Sequence, residues 1–264
     1  MNLDMTILVY SCWKNRDMWD YFSILFKKYW EDCDYKIILL TDKIECTVDE
    51  VINRYIFDEV LEKDDTWGRV IKAGIEKAST PYISLFMDDY LLCNHVDNEI
   101  IQVQIERAKK YHVANLRLVE SPLCKGMFEK DKGLGYYIWG YPYALSTQVG
   151  LWDSGFLMSI IKNEWSAWEF ERLASLQVPE EDYPILVTMD YTFPYDECIH
   201  KGKWMERGWK LCKRNNLVID ESVRPIMTNK EMAIMYARGA IIDMNPEMIL
   251  KMQNFVEQIR KRKI

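Results

Sequence analysis

Two adjacent aspartates, Asp88 and Asp89, stand at the end of an apolar run and are the residues of this sequence best suited to chemistry. The preceding Tyr82–Met87 is mostly apolar, which predicts a central strand of a parallel sheet that is buried on both faces. Carboxylates at the carboxyl end of such a strand lie where open α/β folds bind ligands. Because the two acids repel each other, a divalent cation would stabilise them. The alternative is that both are solvated turn residues.

A second acidic cluster contains Glu169 and Glu171 beside two tryptophans, Trp165 and Trp168. A carboxylate next to tryptophan has a raised proton affinity, as a general acid or base requires. The two glutamates point in different directions on a helix, so both face one cleft only if a turn opens just before it, near Ser166 as the cap. The alternative is an acidic helix start that complements the helix dipole.

Several single residues are further candidates for binding. Arg69 and Lys72, one turn apart on a predicted helix, could meet a phosphate, and Asp42 at the end of the second predicted strand could bind a base or ribose. Lys203 belongs to the turn Lys201–Trp204, whose two cations and aromatic ring would suit a diphosphate leaving group. For the cations, the alternative is a solvated surface position.

Missing motifs argue against several functional classes. The sequence has no Gly-x-x-x-x-Gly-Lys-Ser/Thr loop, which argues against a Walker-type kinase or ATPase, and it has no Gly-x-Ser-x-Gly nucleophile elbow. The turn Ser11–Asn15 after the first predicted strand has no glycine, so the dinucleotide fingerprint is missing. The seven cysteines form no Cys-x-x-Cys pair, which argues against a zinc site.

Composition narrows the location and the partners. The net charge of −7 argues against nucleic acid, which needs a basic surface. Met1–Asp4 does not resemble a signal peptide, and no apolar run approaches the length of a membrane span, which predicts a cytoplasmic protein. The basic end Arg260–Lys263 of an amphipathic helix could touch an anionic membrane as a peripheral contact, the alternative being a solvated tail.

The first 120 residues predict a nucleotide-binding half. An opening β-α-β unit implies parallel strands with a right-handed crossover. Its predicted elements are the strand Thr6–Tyr10, the helix Arg16–Trp30 and the strand Tyr35–Leu40, and further helices follow over 67–78, capped by Thr66, and over Val96–Tyr111.

The second half is predicted to begin with an irregular excursion over Ser121–Tyr143. Strands are predicted over Ala144–Val149 and Ile185–Met189. The predicted helices are Leu151–Ile161, Glu164–Leu176, Lys203–Asn215 and Glu247–Lys263.

Together these elements resemble a glycosyltransferase of the GT-A fold, of the family-2-like kind found in bacterial capsule and lipopolysaccharide gene clusters. The resemblance covers most of residues 1–215 and lies chiefly in the order of the motifs. Those motifs are the strand Thr6–Ser11, the helix Trp67–Ala78, Tyr82–Leu92 with its acid pair, Tyr141-Pro142-Tyr143 with Gln148 and Leu151-Trp152, Trp168–Glu171, and Lys201–Trp204.

The resemblance implies an α/β fold with a GT-A-like, Rossmann-type mixed sheet flanked by helices. It implies a catalytic domain over 1–215, divided at residue 120 into a donor half and an acceptor half, and a helical extension over 216–264. Mn²⁺ or Mg²⁺ would bridge a nucleotide-sugar diphosphate to Asp89 and Asp88, with Asp88 meeting the metal or the ribose. Ser11 and Asp42 would lie near the base or ribose. Since Tyr90 replaces the second alternating acid of the usual motif, metal binding by Asp89 alone, or metal-independent action, stays open.

The resemblance also implies how the acceptor is used. Glu169 or Glu171 would be the general base of an inverting transfer to a saccharide or lipid-linked acceptor in surface polysaccharide biosynthesis. Trp139, Trp152, Trp165 and Trp168 would stack on the acceptor sugar. Two other readings remain: a nucleotidyltransferase of similar topology, and a non-catalytic partner of a polysaccharide-assembly complex.

Overall fold

A computed structural model describes residues 2–41, 66–121, 124–137, 143–178 and 184–244. Five features from the sequence lie outside these residues: Asp42, Trp139, the pair 141–142, the helix predicted over 247–263 and its basic end at 260–263. Within the described helices, no segment has both the length and the apolar character needed to cross a bilayer.

An eight-stranded mixed sheet forms the centre of the fold, in the order β2-β1-β3-β8-β5-β9-β7-β6. In chain order the strands are β1 (Asn2–Tyr10), β2 (Tyr35–Leu40), β3 (Tyr82–Met87), β4 (Tyr90–Leu92), β5 (Asn115–Arg117), β6 (Cys124–Phe128), β7 (Asp131–Tyr137), β8 (Gly150–Asp153), β9 (Ile185–Thr188), β10 (Tyr195–Glu197), β11 (Ile199–His200) and β12 (Lys203–Trp204). Strand β1 is parallel to β2 and to β3, as the sequence predicted.

Helices cover both faces of this sheet. They are α1 (Asp17–Tyr29), α2 (Trp67–Ala78), α3 (Asn98–Tyr111), α4 (Ser154–Ile160), α5 (Ala167–Leu173), α6 (Glu206–Arg214) and α7 (Asn229–Met244). Side chains of β1 alternate between two cores: Ile7 and Val9 pack with α1 and α3, and Leu8 packs with α2, α4 and α5. The predicted α/β class, a Rossmann-type mixed sheet flanked by helices, is therefore confirmed.

The stretch predicted to be irregular, Ser121–Tyr143, instead contains the antiparallel pair β6 and β7, and β7 also pairs with β9. These strands are difficult to predict from the sequence because they contain glycine, which has low strand propensity. Here it is needed for close approach: a Cβ on Gly135 would lie 2.4 Å from Sγ of Cys124.

The predicted strand over 144–149 and the predicted start of the helix at 151 are both wrong, because the strand of this region is β8, over Gly150–Asp153. Ala144–Val149 is not a strand but a series of bends, and its apolar side chains Ala144, Leu145 and Val149 are buried. The helix predicted over Leu151–Ile161 starts only at Ser154, because the residues before it form β8 between β3 and β5. Helix α5 and strand β9 lie where the sequence predicted them.

The helix predicted over Lys203–Asn215 begins later, at Glu206, because Lys203 and Trp204 pair with β11 in a hairpin. At the tip of this hairpin, Lys201 and Gly202 both have positive φ, 51° and 77°, as a two-residue hairpin turn requires. Beyond α6, residues 216–228 are not helical; there, Ile226 forms a bridge with Trp204.

Candidate active site

A cleft of about 440 Å³ opens at the carboxyl ends of β1 and β3. From β1 one connection leads outward to β2, and the next returns across β1 to β3, so strand order reverses between β1 and β3. Such a reversal leaves a crevice above the strand ends, which is where open α/β sheets bind ligands. The cleft is lined by Tyr10, Ser11, Cys12, Lys14, Asn15, Met18, Met87, Asp88, Asp89, Ile199, Gly202 and Arg224.

Asp88 is buried in the floor of this cleft, with 6% of its surface exposed. Its backbone N–H donates to the carbonyl of Tyr10, which extends the pairing of β3 with β1 by one residue. Its carboxylate accepts a hydrogen bond from the hydroxyl of Ser11, and that hydroxyl accepts one from Trp19 at 2.7 Å. Burial raises the pKa of Asp88 to about 6, although hydrogen bonds from Ser11 and Asn15 oppose the rise.

Asp89 is held differently. Its Oδ2 accepts a hydrogen bond from the backbone N–H of Ile199 at 3.3 Å, and its carbonyl accepts one from Cys198 at 3.0 Å. These contacts fix the acidic turn against the β11–β12 hairpin. Burial, with added repulsion from Asp88 and then Glu197, raises the pKa of Asp89 to about 7.

A cation from the distant segment 216–228 also lines the cleft. Arg224 is 8% exposed and forms a two-pronged ion pair with Asp17, with Nε–Oδ2 2.5 Å and Nη2–Oδ1 2.9 Å. Its Nη2 also donates to Oδ1 of Asn15 at 2.8 Å. Charge from Asp88 and Asp89 contributes to a raised pKa of Arg224, after the hydrogen bond to Asp17.

The acid pair fits a divalent cation of the magnesium type. Such ions are usually held by one or two carboxylates and complete their shell with water and substrate phosphate. In the described parts of the chain no group of three acidic, histidine or cysteine residues could form a metal cage. Two adjacent carboxylates with raised pKa values, facing an open cleft, match the simpler arrangement.

A second group of polar side chains adjoins Asp89. The rings of Tyr90 and Tyr195 lie 4.8 Å apart, and both hydroxyls contact the side chain of Gln148. Strand β10 places Glu197 opposite Tyr90. Burial raises the pKa of Tyr90 well above its usual value, and the charges of Glu197, Glu171 and Asp89 add to the rise.

Glu171 belongs to this second group. Its Oε1 accepts three hydrogen bonds, from the hydroxyl of Ser146 at 2.9 Å and from the backbone and hydroxyl of Thr147 at 2.7 and 2.9 Å. Its charge raises the pKa of Glu197, after the larger effect of burial. The structure therefore brings Glu171 to the Asp89 side of the molecule, where only its Oε1 is occupied by described residues.

Glu169 is engaged in the helix cap. Its Oε2 accepts from the backbone N–H and hydroxyl of Ser166 at 2.9 and 2.8 Å, while the Ser166 hydroxyl accepts from the Glu169 N–H. This reciprocal arrangement is a capping box, and it stabilises the first turn of α5. Ser166 is the cap that the sequence predicted.

The other predicted cations do not line the cleft. Arg69 and Lys72 lie on α2 and are absent from the described residues that form its walls. Lys203 forms an ion pair of 2.5 Å with Glu231 of α7, which ties the β11–β12 hairpin to that helix. The phosphate contacts of Arg69, Lys72 and Lys203 stay predictions.

Of the tryptophans expected to stack on a sugar, Trp152 and Trp165 are buried at 0% and 5% exposure, which leaves no ring face open. Trp168 is 73% exposed and lies one turn before Glu171 on α5. It is the candidate for stacking among these three.

Two residues of the site were missed by the sequence analysis, Glu197 and Arg224. Glu197 is carried by a three-residue strand too short for a period-2 pattern to reveal. Arg224 lies in a non-helical segment more than 130 residues from the acid pair, and no local pattern marks it.

Comparisons with known proteins give similarity in structure alone. No family model matches the chain, and no curated protein matches its sequence. Residues 1–349 of S. aureus TarS superpose with a TM-score of 0.48 at 11% identity, covering 72% of this chain and 59% of that one. The same region in complex with UDP-GlcNAc superposes with a TM-score of 0.49 at 12% identity, covering 83% of this chain and 68% of that one. UDP-glucose pyrophosphorylase complexed with UDP-glucose superposes with a TM-score of 0.45 at 10% identity, covering 74% of this chain and 92% of that one.

All three TM-scores lie below 0.5, so these matches assign no function to the chain. The chain spans about three fifths of that first TarS structure, 59% of its length.

Proposed function

We propose that this protein is a glycosyltransferase that takes its sugar from a nucleoside diphosphate donor. The observation that carries the proposal is the pair Asp88 and Asp89 in a cleft at the strand-order reversal. A diphosphate suits such a pair, because a magnesium-type cation held by one or two carboxylates keeps coordination positions that substrate phosphate oxygens can fill.

The residues that would hold this cation, Mn²⁺ or Mg²⁺, are Asp89 and Asp88. When bound, it would neutralise charge on the departing nucleoside diphosphate. Ser11, hydrogen-bonded to Asp88, lines the cleft, and its proposed role is to lie near the ribose or base. Asp42 is proposed for the same role.

Glu171 is the proposed general base. The acceptor hydroxyl attacks the anomeric carbon, its proton passes to the Glu171 carboxylate, and the bond from that carbon to the diphosphate oxygen breaks. Three hydrogen bonds on Oε1 orient the carboxylate and leave Oε2 for the acceptor. Glu169 is the weaker candidate because its carboxylate caps α5. The exposed ring of Trp168, one turn earlier, would stack on the acceptor sugar.

The acceptor is proposed to be a saccharide or a lipid-linked saccharide in surface polysaccharide synthesis. A cytoplasmic protein with a peripheral membrane contact through 260–263 would suit a lipid-linked acceptor. This part rests on the sequence resemblance.

A nucleotidyltransferase is a poorer fit to the loop after β1. Such enzymes bind a triphosphate with a glycine-rich loop of free backbone N–H groups. Here the N–H groups of Asn15 and Arg16 donate to the carbonyls of Cys12 and Trp13, so the loop closes on itself.

The test is thermal stability with UDP, GDP, ADP and CDP, each with and without Mn²⁺. We expect one nucleotide to raise Tm by about 5–10 °C at a hundredfold excess over Kd, and only with the metal. Asp89→Asn should abolish the rise, and Asp20→Asn, an exposed aspartate on α1, should keep it. If no nucleotide shifts Tm with or without Mn²⁺, the proposal is wrong.

A further inference from the structure

Arg224 has hydrogen-bonding capacity that its ion pair does not use. A guanidinium carries five N–H groups. In Arg224, the one on Nε and the two on Nη2 donate to Asp17 and Asn15. Within the described parts of the chain, the two N–H groups of Nη1 have no acceptor.

The two N–H groups on Nη1 of Arg224 lie where a ligand could accept hydrogen bonds from them. Arg224 is 8% exposed and lines the same cleft as Asp88 and Asp89. Its Nη1 is not among the fully buried side-chain atoms that lack a hydrogen-bond partner, so this nitrogen is accessible from the cleft that Arg224 lines. Three carboxylates, of Asp17, Asp88 and Asp89, influence this one cation, so the local charge already favours a positive group at the site.

A purely structural ion pair does not account for this placement. If Arg224 only anchored residues 216–228 to α1, its pair with Asp17 would serve equally well outside the cleft. Arg107 shows that arrangement: it forms a two-pronged pair with Asp190, at 2.9 and 2.7 Å, on a side of the molecule away from the cleft.

We propose that Arg224 is a phosphate-binding residue that receives the diphosphate of the donor on its Nη1 side. This rests on the proposed function, and it adds a ligand contact from the segment after α6. Asp17 and Asn15 hold the guanidinium by its opposite edge, so that little side-chain entropy is lost when phosphate binds. Positive charge would then reach the diphosphate from two sources, the guanidinium of Arg224 and the cation that Asp88 and Asp89 would hold.

The experiment holds the metal constant by measuring binding at one saturating concentration of Mn²⁺, so that a loss of affinity in a variant reports on the side chain that was changed. The probes are the nucleoside diphosphate that gives the largest thermal shift, its parent nucleoside, and inorganic pyrophosphate. The variants are Arg224→Gln, Arg224→Lys and Asp17→Asn, with Arg107→Gln as the matched control that loses a two-pronged Arg–Asp pair elsewhere.

We expect Arg224→Gln to weaken the diphosphate and pyrophosphate about tenfold and to leave the nucleoside unchanged, because a charged hydrogen bond is lost only with phosphate. Arg224→Lys should lie between wild type and Arg224→Gln, since a point charge remains without the planar fork. Asp17→Asn should weaken the diphosphate less than Arg224→Gln, because the guanidinium loses its orientation and keeps its charge. Arg107→Gln should lower Tm and leave every affinity unchanged.

The inference is overturned if Arg224→Gln and Arg224→Lys lower Tm as Arg107→Gln does but bind the diphosphate as tightly as wild type. Arg224 would then be a structural anchor, and the proposed function would stand. If the wild-type protein binds neither a nucleoside diphosphate nor pyrophosphate, with Mn²⁺ or without it, both proposals fail together.

Discussion

Asp88 and Asp89 are adjacent in sequence, yet their carboxylates have different partners. Asp88 is tied to the loop after β1 through Ser11, and Asp89 to the hairpin β11–β12 through Ile199. Both lie where burial disfavours the charged form, and each adds to the local negative charge. A site of this kind stores electrostatic repulsion that a bound cation relieves.

Burial of the charged carboxylate, with the added repulsion from Asp88, makes Asp89→Asn stabilising in the absence of metal. The folded pKa of about 7 exceeds the unfolded value of about 3.8, so the folded state binds the proton more tightly. Wild-type stability therefore falls as pH rises from about 4 to 7, and stays low above that. We expect Asp89→Asn to raise Tm by roughly 5–15 °C at pH 8, a few kcal/mol for a folded pKa of about 7 against 3.8, and by several times less at pH 4.5, where the folded carboxyl is still protonated.

Differential scanning fluorimetry in EDTA across this pH range measures the effect, with Asp20→Asn as the control. A shift of equal size at pH 4.5 and pH 8 would show that the carboxylate of Asp89 is not protonated in this window.

Glu171 and Glu169 are distinguished by a pair of substitutions. Glu171→Gln should lower transfer rates about 10²–10⁴-fold, the usual contribution of a general base, with little change in donor binding. Glu169→Gln should leave Tm close to wild type, because glutamine also completes a capping box, and should leave the rate within a fewfold of wild type.

Transfer to a saccharide acceptor, followed with the donor identified by thermal shift, is the measurement. The opposite pattern, a large loss of rate in Glu169→Gln alone, would move the base to the helix cap.

At the scale of elements, the short hairpin β11–β12 forms part of the cleft wall, although it is much shorter than the helices around it. The two-residue strands β11 and β12 carry Gly202 to the cleft wall and bring Ile199 to Asp89. Backbone hydrogen bonds join Trp204 to Pro225 and Met227, and the ion pair of Lys203 with Glu231 ties the hairpin to α7. Helices α1 and α2 supply the two cores, and the hairpin completes the site.

Gly202→Ala tests the hairpin. At φ 77° an alanine is strained by about 1 kcal/mol, although open space surrounds the position of its Cβ. We expect Tm to fall by about 2–4 °C and nucleotide affinity to drop, because the cleft wall shifts. The control is Gly155→Ala in α4, where the glycine has an ordinary φ and alanine favours the helix. Unchanged nucleotide affinity in Gly202→Ala would show that the hairpin is not part of the binding site.

At the scale of the whole molecule, electrostatics opposes the proposed ligand. The chain carries a net charge of −7, and a nucleoside diphosphate is itself an anion. Long-range attraction therefore cannot bring the two together, and binding must depend on local positive charge in the cleft, from the metal and from Arg224.

Metal-dependent binding should accordingly depend on pH. Protonation of Asp88 and Asp89, whose pKa values are about 6 and 7, removes the negative charge that attracts Mn²⁺. We expect the Tm increase from Mn²⁺ with nucleotide to be full at pH 8, to be about half lost between pH 6 and 7, and to vanish by pH 5. Isothermal titration with Mn²⁺ across this range provides an independent measurement. An increase of the same size at pH 5 would exclude the acid pair as the metal site.

Much of this fold is predictable from local pattern, since apolar periodicity shows where β1, α1, β2, α2 and β3 lie. A buried segment shows this periodicity because its apolar side chains must face the core at the repeat of its own backbone, which differs between strands and helices. The β6–β7 pair and the bends at 144–149 escaped prediction, because glycine and neighbouring strands determined their backbone.

The acid pair and its place at a strand end were evident in the sequence alone, because a buried strand followed by two carboxylates is a local pattern. Only the tertiary structure brought Arg224, Glu197 and the hairpin tip to the same side of the sheet. These residues lie in segments with no periodicity of their own. Their positions follow from long-range pairing and ion pairs, which depend on how the whole chain packs.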